Sequence, residues 1–188
     1  MSVKQQLITA EAFFEMPDPP DTRIELVDGT VREKPPLGVQ AGFAKMNLLR
    51  TLGDFVKHND LGIVLPGLGC VLERNPDTVR IAESCFIAWD RVPPGPPSEW
   101  FWEGAPTLAV EVVSHVAKAV DVHSRISDFL EAGSRQVWVV WPGRSAVSVY
   151  RPNADTRELG SEEKLDGGDV LPGFLVRVGD LFDARHRR

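Results

Sequence analysis

The segment 106–142, PTLAVEVVSHVAKAVDVHSRISDFLEAGSRQVWVVWP, carries the pattern that decides the fold. It opens with an apolar run at 108–114 that only Glu111 interrupts, which is typical of a strand in the centre of a sheet. A helix is predicted over 119–133, where a glycine provides the C-cap. The apolar run at 136–142 predicts a second buried strand on the far side of that helix.

Turn residues and proline clusters divide the rest of the chain into further elements. Helices are predicted at 8–17, where Thr9 is the N-cap, and at 39–58. A hairpin is predicted at 23–34, because an Asp-Gly pair supplies its tight turn. The other predicted elements are strands at 63–73, 78–89 and 145–152, a proline-rich loop at 90–105, and a strand with a short terminal element at 169–182. This order predicts an α/β fold with a mixed sheet, and the length suits one domain over residues 1–188.

The charge balance limits how the chain can meet nucleic acid. Lys and Arg total 21 against 27 Asp and Glu, which gives a net charge of −6. Proteins that bind nucleic acid by neutralising many phosphates are normally basic, so such a contact here needs a local basic patch or a bound cation. The candidate patch is a small basic rim, made of Lys45, Arg50, Lys57, Arg125 and Arg135.

Cysteine and histidine usage argues against a zinc site and against secretion. Cys70 and Cys85 are too few for a disulfide framework and are predicted as buried thiols. His58, His115 and His123 do not form an HxH or HExxH pattern. No apolar run approaches the ~18 to 20 residues of a membrane span. We therefore expect a cytoplasmic protein without membrane contact.

Glu111 is the strongest single signal for chemistry. It places an ionisable group inside a strand whose other residues are apolar. Burying an unpaired carboxylate costs several kcal/mol, so Glu111 needs a cation or a cationic side chain beside it. Two alternatives stay open. Glu111 is a metal ligand or general base, or it forms an ion pair with an arginine on a neighbouring element, Arg80 or Arg125.

Glu83 and Glu25 interrupt apolar runs in the same way. If the strands at 78–89 and 108–114 are neighbours, Glu83 and Glu111 lie close together, and a Mg²⁺ or Mn²⁺ ion between them would relieve their repulsion. Carboxylates more than ~8 Å apart could not share one ion. The alternatives are a solvent-facing Glu83 on a half-exposed hairpin and a surface position for Glu25.

Six features in the same order make the sequence resemble the Uma-two family of endonucleases. They are RIELVDGTV (23–31), a Pro-Pro pair before a helix, a hairpin strand, PTLAVEVVS (106–114), D-x-x-x-R-x-x-x-F-L-E-A-G (121–133) and VWVVWP (137–142). The resemblance covers about 8–182 and implies membership of the PD-(D/E)XK, restriction-endonuclease-like superfamily. It implies a mixed β-sheet flanked by helices, with an N-terminal helix and hairpin and a C-terminal strand extension.

The resemblance also implies a function, a cofactor and a site. The function is a Mg²⁺-dependent (or Mn²⁺-dependent) DNA endonuclease, in which two acids bind the metal that activates water and a lysine orients the nucleophile. Carried over by motif, Glu83 and Glu111 are the metal ligands, Glu25 is a supporting acid, and Arg125 occupies the position of the lysine. Ser114 matches the serine that follows the Glu111 strand.

The sequence departs from the family pattern in four ways. Ala82-Glu83 replaces a Pro-Asp pair, and the longer glutamate shifts the carboxylate. Arg125 replaces the lysine and cannot lose its proton. Gln40 and Trp141 occupy the positions of a histidine and an aspartate. Together these departures predict weakened or lost catalysis.

Three interpretations of the function therefore stay open. The chain is an active endonuclease, or a catalytically degenerate nuclease-fold protein that binds nucleic acid or another protein. The third interpretation is a non-nuclease enzyme or structural module in which Glu111 pairs with Arg80 or Arg125. The expected partners are DNA and a second copy of the chain, because the predicted strand at 145–151 resembles an exposed sheet edge.

Overall fold

The computed structural model describes residues 7–17, 19–20 and 22–184. Its helices are α1 (Ala10–Phe14), α2 (Val39–His58) and α3 (Ala119–Glu131). Its strands are β1 (Arg23–Val27), β2 (Thr30–Lys34), β3 (Gly62–Glu73), β4 (Thr78–Ala88), β5 (Trp102–Glu103), β6 (Leu108–Val112), β7 (Gln136–Trp141), β8 (Ala146–Tyr150), β9 (Arg157–Leu159), β10 (Lys164–Gly167) and β11 (Leu171–Arg177). None of the described helices has the length and apolar character needed to cross a membrane.

Most of the strands join one mixed sheet. Its main path runs β2-β1-β4-β6-β7-β8-β9, with β3 paired to β4 and β5 paired to β3. Strands β6 and β7 are parallel and are joined by α3, whereas β4 and β6 are antiparallel. The predicted α/β fold with a mixed sheet is therefore confirmed, and the Glu111 strand lies inside the sheet. Strands β10 and β11 form a separate antiparallel pair after it.

Alternation along the central strands places α2 and α3 on opposite faces of the sheet. Val110 and Trp138 pack into the apolar cluster that includes the buried residues of α2. Ala109 packs into the cluster that includes the buried residues of α3. Because successive side chains of a strand point to opposite faces, Glu111 lies on the same face as Ala109, towards α3.

The strands beside β4 leave a gap along one of its edges. Strand β1 pairs with β4 through Leu26 and Val79, and β6 pairs with β4 only from Ser84 onwards. Neither pairing includes residues 80–83 of β4. On that edge the Ile81 N–H and carbonyl are bonded to charged side chains instead of a neighbouring strand.

The differences from prediction lie mainly in short elements. Strands β5, β9 and β10 were not predicted, because runs of 2, 3 and 4 residues carry almost no alternation signal. Strand β9 pairs with β8, so the segment 145–151 is not an exposed edge. The argument for a homodimer from that edge is wrong, and the homodimer itself stays a prediction. Helix α1 is shorter than predicted, but its Thr9 cap is confirmed by a 3.2 Å hydrogen bond from the Ala12 N–H.

Candidate functional site

Three glutamates from three strands converge at the gap beside β4. Glu25 comes from β1, Glu83 from β4 and Glu111 from β6, and their exposed fractions are only 2%, 1% and 4%. The surface position considered for Glu25 and the solvent-facing position considered for Glu83 are therefore both wrong. Buried carboxylates at such a junction require cationic partners.

Arg125 binds two of these carboxylates. Its Nε and Nη2 atoms donate to the two oxygens of Glu111, at 2.9 Å and 2.7 Å, and Nη1 donates to Glu25 Oε2. Arg125 belongs to the buried face of α3, and only 7% of the residue is exposed. The ion-pair alternative for Glu111 is confirmed, with the arginine on the helix that follows its strand.

Lys34, the last residue of β2, lies between the three glutamates. Its Nζ atom is 2.9 Å from Glu83 Oε1, 3.4 Å from Glu111 Oε2 and 3.9 Å from Glu25 Oε1. Sequence reasoning missed this residue. The signal that could have found it is the register of the hairpin, which pairs Lys34 with Arg23. Arg23 and Glu25 are two residues apart on β1, so the Lys34 and Glu25 side chains lie on the same face of the hairpin.

Further cations complete what we call the ion cluster. Arg23 and Lys45 bind the two oxygens of Glu83, at 2.6 Å and 2.9 Å. Arg80 binds Glu25 at 3.2 Å and Asp128 of α3 at 2.6 Å. The cluster comprises the acids Glu25, Glu83, Glu111 and Asp128 and the bases Arg23, Lys34, Lys45, Arg80 and Arg125. Cations therefore outnumber carboxylates by one within it.

The ion cluster also satisfies the backbone of β4 in the gap. The Ile81 N–H donates to Glu25 Oε1 at 2.7 Å, and the Ile81 carbonyl accepts from Lys34 Nζ and from Arg125 Nη2, both at 2.9 Å. Each of the six carboxylate oxygens of the three glutamates thus accepts a hydrogen bond or ion pair from a nitrogen of the chain.

These charges keep the acids ionised. Burial alone would raise the pKa of Glu25, but the charges of Arg125 and Lys34 outweigh it and lower that pKa to about 2. Burial likewise opposes ionisation of Glu83, yet the charge of Lys34 and a hydrogen bond from Lys45 lower its pKa to about 2. Neither group is available as a proton donor near neutral pH.

The donor set does not fit a divalent cation as it is arranged. Glu83 Oε1 and Glu111 Oε2 lie 2.9 Å and 3.4 Å from the same atom, Lys34 Nζ. The two oxygens are therefore closer to each other than the ~8 Å beyond which they could not share one ion. The ammonium group of Lys34 already lies between them, however, and Arg125 holds both oxygens of Glu111. Among residues 7–17, 19–20 and 22–184, no group of three or more His, Cys, Asp or Glu side chains is arranged to bind a metal.

The predicted basic rim is wrong as a continuous surface. Arg125 is buried in the ion cluster, and Arg135 forms an exposed 2.6 Å pair with Asp169. Cys70 and Cys85 are free and buried, as predicted.

A cleft of about 490 Å³ leads from solvent to the ion cluster. Its lining includes Arg32, Arg80 and Arg125 together with Glu25 and Asp121. Arg32 is exposed and makes no ion pair with the described residues. A second cleft, of about 450 Å³, runs past the N-terminus of α2 and is lined by the three motif positions Gln40, Ser114 and Trp141.

Comparison with known proteins agrees with this architecture. A family model named Uma2, described as "Putative restriction endonuclease", matches residues 10–179. The chain is also similar to a crystal structure described as a "putative nuclease belonging to DUF820" from Anabaena variabilis, with a TM-score of 0.81 and 20% sequence identity. That similarity covers 93% of this chain and 97% of the other, and it establishes a shared fold. No curated protein matches the chain.

Proposed function

The chain belongs to the Uma2 family, described as putative restriction endonucleases, and we propose that it binds nucleic acid, with DNA as the first candidate, without cutting it. This is the catalytically degenerate nuclease-fold protein considered from the sequence. The family suggests a nuclease and an interaction with nucleic acid, while the state of the acids determines whether hydrolysis follows.

The observation that carries this proposal is the occupation of all six oxygens of Glu25, Glu83 and Glu111 by nitrogens of the chain. A hydrolytic site of this kind needs carboxylate oxygens that are free to bind a metal or to accept a proton from water. Here those oxygens are committed to internal ion pairs. Arg125 stays protonated and so cannot act as a base.

The cleft above the ion cluster provides the contact for phosphate. Cations exceed carboxylates in the cluster, so it does not repel a phosphodiester as three free glutamates would. Arg32 at the cleft offers a guanidinium group with no ion pair to the described residues. Because the whole chain carries a net charge of −6, we expect binding to be weak and to depend strongly on salt.

The second candidate is a Mg²⁺- or Mn²⁺-dependent DNA endonuclease that hydrolyses phosphodiester bonds, as the family resemblance implies. The observation in its favour is that the carboxylates of Glu83 and Glu111 both contact the same atom, Lys34 Nζ. The metal ligands would be Glu83 and Glu111, with Arg125 and Glu25 in support. A metal ion could bind there only if the Lys34 side chain moved away from the two carboxylates.

Fluorescence anisotropy of a short labelled duplex, measured in EDTA over a series of salt concentrations, tests the first candidate. We expect wild-type binding to weaken with salt and Arg32→Ala to weaken it by about fivefold and to reduce the salt slope by about one. Lys57→Ala, an exposed lysine at the far end of α2, is the matched control and should bind like the wild type. No binding at low salt, or equal losses in both variants, would contradict the proposal.

A plasmid-cleavage assay in Mg²⁺ and in Mn²⁺ separates the two candidates. The first candidate predicts no cleavage by the wild type. Cleavage that disappears in a folded Glu111→Gln variant would establish the second candidate instead. Circular dichroism of the variant supplies the check on folding.

A further inference from the structure

The second cleft lies where two parallel strands end. Strands β6 and β7 run in the same direction, and the residues that follow them, 113–115 and 142–144, line the cleft together with the first turn of α2. In open α/β sheets, ligands bind outside the carboxyl ends of the strands. The cleft volume of about 450 Å³ is within the range of about 300–1,000 Å³ that is usual for small-ligand sites.

The N-terminus of α2 brings main-chain N–H groups to this cleft. The first backbone hydrogen bond of the helix runs from the Gly42 N–H to the Gly38 carbonyl, at 2.9 Å. The N–H groups of Val39, Gln40 and Ala41 precede that bond and have no such partner inside the helix. Gly38 at the N-cap offers them no side-chain oxygen, and the first turn contains no acidic residue. The positive end of a 20-residue helix therefore meets the cleft without a capping group from its own residues.

Ser114 supplies an independent sign of a ligand at the same place. Only 7% of the residue is exposed, and its hydroxyl has no hydrogen-bond partner in the described part of the chain. Val112 packs into the apolar cluster of α2 and Val113 against that of α3, so the alternation of the strand turns Ser114 towards α2 and the cleft that it lines. Buried hydroxyl groups normally have a partner, so this one indicates a polar ligand on the α2 side.

The lining of the cleft carries no negative charge although the chain is acidic. Its described lining residues include His115 and Arg144 but no aspartate or glutamate. The Arg144 guanidinium lies over the ring of Trp141, 4.7 Å from the ring centroid. Its 3.2 Å pair with Glu158 joins two side chains that are each 55% exposed, and such pairs are weak. Because the whole chain has a net charge of −6, a wall without carboxylates favours an anion at this place.

We propose that the second cleft binds a phosphate monoester group. The N–H groups of Gln40 and Ala41 and the hydroxyl of Ser114 donate to its oxygens, and Arg144 balances its charge. Main-chain N–H groups at a helix N-terminus suit phosphate, and a monoester offers three terminal oxygens to donors from several elements.

Such a group occurs on free nucleotides and on the terminal phosphate of a nucleic-acid strand. The lining of the second cleft shares no residue with the ion cluster. The inference therefore goes beyond the proposed function and does not depend on it.

Titration of isotope-labelled protein with inorganic phosphate, followed through the NMR amide signals of Gln40 and Ala41, tests the inference. We expect saturable shifts of these two signals and none with acetate at the same ionic strength. Gln40→Glu places a carboxylate beside the N–H groups and should weaken phosphate binding at least about tenfold. Asn153→Asp adds the same charge in the exposed turn after β8 and is the matched control, which should bind like the wild type.

The variants separate loss of a ligand from loss of the fold. A glutamate in the first turn interacts favourably with the helix dipole, so Gln40→Glu should melt no lower than the wild type while it loses phosphate. Ser114→Ala removes a hydroxyl that has no partner in the described structure, so it should keep its melting temperature and bind phosphate about fivefold more weakly. If Gln40→Glu does not fold, Arg144→Gln replaces it and should also weaken binding by about fivefold.

A second measurement identifies the source of the phosphate group. Fluorescence anisotropy in EDTA compares short single strands that carry a 5′-phosphate, a 3′-phosphate or neither. Binding of one phosphorylated strand that is at least about fivefold tighter in the wild type, but not in Gln40→Glu, would assign the cleft to strand ends. Equal binding of all three strands, with inorganic phosphate still saturating, would assign it to free phosphate monoesters.

Two results would overturn the inference. One is the absence of a saturable phosphate shift in the wild type, and the other is a folded Gln40→Glu variant that binds phosphate as tightly as the wild type. Duplex binding is tested through Arg32, which does not line the second cleft, so its failure and the failure of this inference are distinguishable.

Discussion

Arg125 and Glu111 form a two-point ion pair across the junction of α3 and β6, with Nε at 2.9 Å and Nη2 at 2.7 Å from the two carboxylate oxygens. This geometry uses the planar fork of arginine, which a lysine cannot reproduce. Burial alone would lower the pKa of Arg125, but the charges of Glu111 and Glu25 outweigh burial and raise it. Arg125 therefore stays protonated, and its two-point contact with Glu111 links α3 to the sheet.

Loss of Arg125 should be among the most damaging single changes in the chain. Arg125→Ala leaves Glu25 and Glu111 buried beside fewer positive charges, and breaking a buried ion pair costs about 3–5 kcal/mol. Urea unfolding followed by circular dichroism measures the loss. Arg135→Ala removes the exposed pair with Asp169 and should cost at most about 1 kcal/mol. Equal costs in the two variants would mean that the cluster contributes no more than a surface pair.

The protein should lose stability in acid, because the carboxyl groups of Glu25 and Glu83 have lowered pKa values in the folded chain. Glu25 and Glu83 have pKa values of about 2 in the folded chain against a reference value of 4.5. A carboxyl group whose pKa is lower in the folded than in the unfolded chain stabilises the fold at pH values above its unfolded-state pKa. That stabilisation is lost as the pH falls through the folded-state pKa. The free energy of unfolding should therefore fall between pH 4.5 and pH 2, by the order of 3 kcal/mol for each group.

A variant isolates the contribution of Glu25 to this pH dependence. The stability difference between the wild type and Glu25→Gln should be largest above pH 4.5 and should shrink towards pH 2. Urea unfolding at a series of pH values gives both curves. Parallel curves would show that Glu25 has an ordinary pKa in the folded protein.

Asp77 connects α1 to the turn between β3 and β4. Its carboxylate accepts from the Ala10 N–H at 2.7 Å, the Asn75 N–H at 3.2 Å and Arg74 Nη1 at 3.0 Å. Asp77→Ala leaves the buried Ala10 N–H unpaired, so we expect a loss of about 1–3 kcal/mol and faster amide exchange in α1. Glu103→Ala, which removes an exposed partner of Arg74 that lies outside α1, is the control and should leave exchange in α1 unchanged.

Two buried serines should respond in opposite ways to alanine. The Ser84 hydroxyl is buried and has no hydrogen-bond partner in the described structure, so Ser84→Ala should be neutral or stabilising by up to about 1 kcal/mol. The Ser134 hydroxyl donates to the Pro106 carbonyl at 2.8 Å, so Ser134→Ala should destabilise by about 1 kcal/mol. Melting temperatures of the two variants provide the comparison. A strongly destabilised Ser84→Ala would indicate a bound water at that hydroxyl.

The sequence was sufficient for the fold because the central strands are long, apolar runs. The apolar run around Glu111 and the glycine that ends 119–133 are local signals, and the structure keeps the strand and the helix that they predict. Glu25, Glu83, Glu111 and Arg125 were singled out because each is a charge in an apolar or motif context, and the structure brings them together. Their catalytic and metal-binding roles stay predictions.

Lys34 could not be found in the same way. It ends a short hairpin strand after Arg32 and Glu33, so the local pattern is that of a solvated turn. Its burial depends on a contact with β6, which lies 77 positions further along the chain. Only the sheet order brings the end of β2 to the gap beside β4, and no local periodicity records that order.

The edge of β4 that faces the gap gives the ion cluster a second role that does not depend on any reaction. Around Ile81, side chains of Glu25, Lys34 and Arg125 take the hydrogen-bonding positions that a neighbouring strand fills elsewhere. A bare strand edge is the feature through which β-proteins associate with one another. Without the cluster the Ile81 edge would have no partners, so we expect these charges to limit association between strand edges of different molecules.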